Sequence, residues 1–246
     1  MFKILLSIFL LLHVLGDFYF QTDRISEKKN AQYRYVILHS LIYAAVFFAG
    51  VVPIWSVPAA WMILVLVISH YAVDSLKYLG KKRIRFIAKA SDEALYLADQ
   101  SLHLLSFIIV AFFAVWKGIS VSLQPWMGNL LALAGLSGKA VLGWLCVLLL
   151  ICKPANITIK LMLAKYRPVQ ENDVSNNAGA FIGSLERTII TLLLSAGQYA
   201  AIGLILTAKS VARYDRISKD QIFAEYYLLG TLLSTLFAIA AFLVFK

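Results

Sequence analysis

Long apolar runs alternate with short polar connections along most of the chain, and this alternation decides the solvent. Runs near 2–21, 33–52, 59–79, 93–116 and 138–163 each reach the length needed to cross a bilayer as a helix. The 246 residues are 61% hydrophobic and 15% charged, with a mean hydropathy of +0.79. A soluble domain of this size cannot hide that much apolar surface, whereas lipid solvates it. The expected fold is all-α: a polytopic transmembrane bundle of about six to eight segments in one integral membrane domain, 1–246. Within it, 1–120 forms a four-helix layer and 138–246 supplies the C-terminal helices.

The net charge of +10 does not point to nucleic acid, because the basic residues gather in short connections between apolar runs. One group is Arg24, Lys28, Lys29 and Arg34; a second is Lys77, Lys81, Lys82, Arg83, Arg85 and Lys89; a third is Lys160, Lys165 and Arg167. The intervening connections carry little charge apart from Lys117. By the positive-inside rule the basic connections are cytoplasmic and the N-terminus lies outside. Lys3 followed by an apolar stretch imitates a signal peptide, but no A-x-A-like site follows, so 2–21 reads as a retained first span. Cys146 and Cys152 lie six apart in one apolar run and point to different faces, which argues against a disulfide between them.

Ser91 is an expected N-cap for the fourth span, with Asp92 and Glu93 in its first turn. Segment 123–137, with Pro125 and two glycines, reads as a loop, and 168–177 as a polar loop. From Gly179 to Ala208 the chain is either one long tilted helix or two short ones meeting near Gly197. The basic segment 209–219 favours a re-entrant or split arrangement. Gly179 and Gly183 have the spacing at which another helix approaches closely. Ser218 and Gln221 fit a capping box opening a last span at about 219–244.

The polar residues inside the apolar runs form a pattern. Three of the four histidines have an aspartate four positions away: His13 with Asp17, His70 with Asp74, and His103 with Asp99. Such pairs share one helix face. With eight aspartates in the chain, chance gives three such pairs on the order of once in a thousand. His39 is flanked at the same spacing by Tyr35 and Tyr43. Asp17 and Asp74 stand near the ends of their spans, His39 and Asp99 near the starts of theirs, and all four ends face basic connections. Antiparallel packing therefore brings seven ligand-type side chains to one level, as helix bundles do when they build metal sites.

Imidazole and carboxylate suit a divalent metal: zinc first, with manganese or iron as alternatives. Seven candidates serve two ions, or one ion and a general base. A bound ion offsets the cost of buried carboxylates and generates hydroxide near neutral pH. The competing readings are interhelical polar glue and an ion or proton pathway. Gln21 and Gln100 are placed to support the ligands or simply to end a helix at the interface. Lys77 either snorkels or holds a substrate phosphate. Glu186 and Arg187 lie inside an apolar stretch and are the candidate catalytic pair, Glu186 carrying protons and Arg187 steadying an anion; a mutual ion pair is the plainer alternative. Lys209 and Arg213 share a face and either bind lipid phosphate or only mark topology. No Walker loop, GxSxG elbow, HExxH or dinucleotide fingerprint occurs.

The segments HVLGDFYFQT, HYAVDSLK and ADQSLH, His39, and the later GAFIGSLERTIITLLLSAGQYAAIGLILTAKSVAR and AEYYLLGTLLS resemble a bacterial and phage membrane family catalogued as a domain of unknown function, number 3307, over most of the chain. That resemblance implies membrane location and no activity. The first four spans are also similar in style to bacterial membrane-bound metal-dependent hydrolases, which carry His and Asp in their first helices; by analogy this implies a hydrolase. The expected function is thus metal-dependent hydrolysis of a lipid-linked or membrane-embedded phosphoester, ester or amide near the cytoplasmic leaflet. The alternatives are a transporter or channel using the same polar layer, and a non-catalytic membrane interaction protein.

Overall fold

A chain that must satisfy its backbone inside lipid has helices as its simplest solution, and the computed structural model is built of them. It describes residues 1–168 and 176–246, so most of the polar segment expected at 168–177 lies outside the described residues. Among the described residues, seven helices are long and apolar enough to cross a membrane: Phe2–Tyr19, Tyr33–Ile54, Val57–Arg83, Asp92–Trp116, Gly138–Met162, Ala178–Ser195 and Gln221–Phe245. The chain is an all-α polytopic bundle and an integral membrane protein. It divides into two compact units, Met1–Leu145 and Cys146–Lys246.

In the N-terminal unit, α1 (Phe2–Val14) runs into a wide π-type turn, Leu15–Tyr19. The short α2 (Asp23–Lys29) follows, capped by the Thr22 hydroxyl. Then come α3 (Tyr33–Val51), α4 (Val57–Arg83), the single turn α5 (Arg85–Ala88), α6 (Asp92–Trp116) and α7 (Pro125–Leu133). Ser56 caps α4 and Ser91 caps α6 as expected. Helix α4 packs on α3 and on α6, and α1 packs on α6 and α3. Toward the ends remote from the basic connections the four share an apolar core of Leu5, Phe9, Phe47, Ile63, Leu66 and Phe107.

Segment 123–137, expected as a loop, contains α7. Pro125 occupies the first turn, where its missing N–H costs nothing, and Gly135, at φ +66, ends the segment.

In the C-terminal unit, α8 (Gly138–Ile151), whose first turns still belong to the N-terminal unit, stops at Cys152, and α9 (Lys153–Met162) begins there. The span expected at 138–163 is thus one candidate crossing, Gly138–Met162, made of two helices. Pro154 cannot donate to the preceding turn and breaks it. Helix α10 (Asn176–Ser195) ends before Gly197, whose φ of +70 turns the chain into α11 (Tyr199–Val211), so the stretch 179–208 is split as anticipated. Helix α12 (Tyr214–Lys219) precedes α13 (Gln221–Phe245). The cap of α13 is Asp220, which accepts from the Phe223 N–H, and not Ser218, which sits within α12. Among the described residues the Gly179–Gly183 pair receives no close neighbouring helix: none has an atom within 4 Å of a Cβ at Gly179, and at Gly183 the nearest atoms belong to Arg187 of the same helix.

Gly16 lies in the wide turn of α1, and a Cβ there would stand 2.6 Å from the Tyr43 ring. That ring is itself pressed between Phe47 and His70. We expect Gly16→Ala to cost about 1–3 kcal/mol through overpacking, read as a lower unfolding temperature in detergent. Gly203→Ala, with nothing within 4 Å, leaves that temperature unchanged or raises it.

Candidate metal centre

Each of the four antiparallel helices of the N-terminal unit contributes to one buried layer. Helix α1 and the wide turn that follows it supply His13 and Asp17, α3 supplies His39 and Tyr43, α4 His70 and Asp74, and α6 Asp99 and His103. All four imidazoles are buried, as are the carboxylates of Asp17, Asp74 and Asp99.

Four of these groups converge. His39 Nε2 lies 3.1 Å from His70 Nε2, 3.2 Å from Asp17 Oδ1 and 3.5 Å from Asp74 Oδ2. His70 Nε2 lies 3.4 Å from Asp17 Oδ1 and 3.7 Å from Asp74 Oδ2. Ligand atoms about 2.0–2.1 Å from a tetrahedral ion stand about 3.3–3.4 Å apart. The five separations lie near that value, and His39, His70 and Asp74 form one set whose ligand atoms all stand within 4.8 Å of one another. Three overlapping groups have ligand atoms within 4.8 Å of one another: His13, Asp17 and His70; His39, His70 and Asp74; and Asp74, Asp99 and His103. The seven sequence candidates are therefore in one place.

They are not equivalent. Gln100 Oε1 can only accept, so the 3.1 Å contact fixes the proton of His13 on Nε2; His13 Nδ1 then accepts from the Tyr43 hydroxyl, also at 3.1 Å. Both nitrogens of His13 are engaged, and its role is to face Asp17 Oδ2 from 3.7 Å. His103 is the opposite case: neither nitrogen has a hydrogen-bond partner, and Nε2 lies 3.8 Å from Asp99 Oδ1. Asp17 Oδ1 is also without one. Buried polar atoms left bare in this way are costly.

A column of rings holds the layer rigid. Tyr43 stacks on Phe47 at 4.4 Å and on His70 at 3.6 Å and 3°, and His70 stacks on His103 at 4.4 Å. Two lysines balance the acids. Lys29, at the end of α2, reaches Asp74 Oδ2 at 3.4 Å and Gln21 Oε1 at 3.1 Å, while Lys77 reaches Asp99 Oδ2 at 3.1 Å. Burial pushes the Lys29 ammonium toward neutrality, but Asp74, Asp17 and Asp99 outweigh that and hold its pKa above the usual lysine value. Three carboxylates against two ammoniums leave one formal negative charge in the layer. Lys29 was counted in the sequence only as a topology charge, and Tyr43 only as a flank of His39. Gln21 and Gln100 do support the charged groups.

Glu186 and Arg187 belong to the C-terminal unit and do not pair with each other. Glu186 bonds Lys209 at 2.6 Å. Arg187 is buried and donates from Nε to the Ile151 carbonyl, from Nη1 to Ser234 Oγ at 3.0 Å, and from Nη2 to Asn156 Oδ1 at 2.5 Å and Ser184 Oγ at 3.3 Å. The break at Cys152 leaves the Ile151 carbonyl outside a regular helix, and the guanidinium satisfies it. Asn156, Ser184 and Ser234 were not singled out in the sequence; Pro154 was the available signal that a backbone group nearby would need a partner.

Residues 5–130 match the family described as "Protein of unknown function (DUF3307)". The chain belongs to that family. The match covers just over half of the 246 residues and includes all seven layer residues, Lys29 and Lys77. The later segments read as part of the resemblance lie outside it. No curated protein and no solved structure matches the chain.

Replacing Arg187 by Met strands the Ile151 carbonyl and the Asn156 amide oxygen, at about 1–3 kcal/mol for each buried group left bare. We expect a clear fall in unfolding temperature in detergent. Arg187→Lys does not restore it, because an ammonium lacks the planar fork that meets four partners at once.

Proposed function

We propose that this protein is an intramembrane metal-dependent hydrolase acting on a lipid-linked or membrane-embedded substrate. The observation that carries the reading is the convergence of His39 and His70 on Asp17 and Asp74: each imidazole Nε2 stands 3.2 to 3.7 Å from Asp17 Oδ1 and Asp74 Oδ2, the spacing of side chains that share an ion. Zinc fits this donor set best, with manganese or iron as alternatives. When bound, such an ion acts as a Lewis acid and lowers the pKa of water toward neutrality.

The protein residues then have distinct tasks. His13, held by Gln100 and Tyr43, orients Asp17. His103, free at both nitrogens and backed by Asp99, is placed to take and return a proton. Lys29 and Lys77 stand where an anionic leaving group or phosphoryl oxygen would be met. Arg187 spends its donors on the broken span, so we give it and Glu186 no chemical step. We place the basic connections on the cytoplasmic side of a bacterial inner membrane, with the N-terminus outside, so the substrate arrives from the cytoplasmic leaflet. The looser likeness to membrane-bound metal-dependent hydrolases agrees with this reaction class.

A transport reading has one observation in its favour: two discontinuous stretches, at Cys152 and at Gly197. Both lie in the C-terminal unit, whereas the His/Asp layer belongs to the N-terminal unit.

Elemental analysis of the purified protein tests the metal, and release of phosphate or carboxylate from lipid substrates tests the reaction. Wild type is expected to retain a divalent ion, and His39→Ala and Asp17→Asn to lose it and all turnover. Gln100→Ala keeps the site but lowers metal affinity about 10–100-fold. His103→Ala keeps the metal and loses about 10²–10⁴-fold in rate. Metal-free wild type with intact biological function would refute the proposal. Ion flux in liposomes abolished by the same ligand mutations would transfer the layer to transport.

A further inference from the structure

The helix pair that carries His70, Asp74, Asp99 and His103 also encloses a cavity of about 560 Å³. Val57, Trp61 and Val65 of α4 and Ile109, Phe113 and Ile119 on the α6 side line it, and every lining residue is apolar. Trp61, Val65, Ile109 and Phe113 are open to the surroundings of the unit, so the cavity is a lateral groove and not a sealed void. Its inner end is close to the polar layer. Val65 precedes His70 by five residues and Ile109 follows His103 by six, about 7.5 and 9 Å along their helices.

The apolar groove and the polar layer lie at different heights of the same helix pair and offer opposite chemistries. The layer has Lys29, Lys77 and the His/Asp cluster. The groove is a hydrocarbon slot toward the far ends of the same spans. Neither an ion nor a soluble phosphate needs the slot, and an ordinary membrane lipid does not need the lysines. We infer that the groove between α4 and α6 binds the hydrocarbon chain of a lipid monophosphate whose phosphate is met by Lys29 and Lys77. This rests on the hydrolase reading for its chemistry and narrows that reading's substrate to a long-chain phosphomonoester, with the scissile bond at the layer and the chain along the groove.

The test is photolabelling of the full-length protein in phosphatidylcholine nanodiscs with a prenyl monophosphate that carries a benzophenone at its far end. Label is expected on 57–65 and 109–119. Unlabelled prenyl monophosphate should displace it, and the prenyl alcohol of equal length and inorganic phosphate should not. Val65→Trp and Ile109→Trp, which fill the groove from open positions, should reduce labelling about tenfold, with metal content unchanged. Ile68→Trp, on the same helix and outside the groove, should label like wild type. Label spread over other outward-facing residues such as Ile68 and Leu133, or equal displacement by the alcohol, overturns the inference. The two readings fail separately. Phosphate-dependent label at the groove in a metal-free protein upholds the groove and sinks the hydrolase. Diffuse label on a metal-loaded protein that cleaves phosphoesters sinks the groove alone.

Discussion

A carboxylate drawn into hydrocarbon has no water to fall back on, and three of them within one layer repel each other strongly unless something of opposite sign stands among them. The arrangement of the N-terminal unit follows from that constraint. Lys29 is turned back from a connecting helix to Asp74, Lys77 is held against Asp99, and four imidazoles are packed between the acids. The residual negative charge and the bare nitrogens of His103 are what a divalent ion or a polar substrate group would satisfy. Much of the packing around the layer fixes where these groups stand: the ring column through Phe47, Tyr43, His70 and His103 leaves the imidazoles little freedom to turn.

The C-terminal unit meets the same constraint with a different residue. There the exposed group is backbone, released where Pro154 interrupts a span, and a single guanidinium spreads its charge over a carbonyl, an amide oxygen and two hydroxyls. Arginine suits this because its donors are many, planar and weakly hydrated.

How much of this was legible depended on whether the information was local. The pairing of His13 with Asp17, His70 with Asp74 and His103 with Asp99 follows from helical periodicity alone, and antiparallel succession of spans is enough to bring the pairs to one height. The Ser91 cap and the split near Gly197 are local signals of the same kind. Lys29 was not legible, because whether a lysine in a connection faces water or folds back depends on what lies two helices away. The stack of Tyr43 on His70 is invisible for the same reason. Other misreadings came from over-trusting single residues. Pro125 was taken as a loop marker although it opens α7. The Gly179–Gly183 spacing found no close partner helix among the described residues. Asp220 outcompeted Ser218 for the cap of α13 because it directly precedes the first turn, and its carboxylate also answers the positive end of the helix dipole.

The wide turn at Leu15–Tyr19 lies where one helix passes between two environments. Upstream, α1 gives Leu5, Phe9 and Leu12 to the dry core; downstream, Asp17 enters the polar layer while Gly16 lets the Tyr43 ring pass close by. A π-type turn carries one residue more than a regular one and so rotates everything after it about the helix axis. The first span is thereby made of two phases joined without a break in its backbone bonding. The pairing of His13 with Asp17 needs no such turn, so what the extra residue adds is a shift in phase for the residues that lead out of the span toward α2.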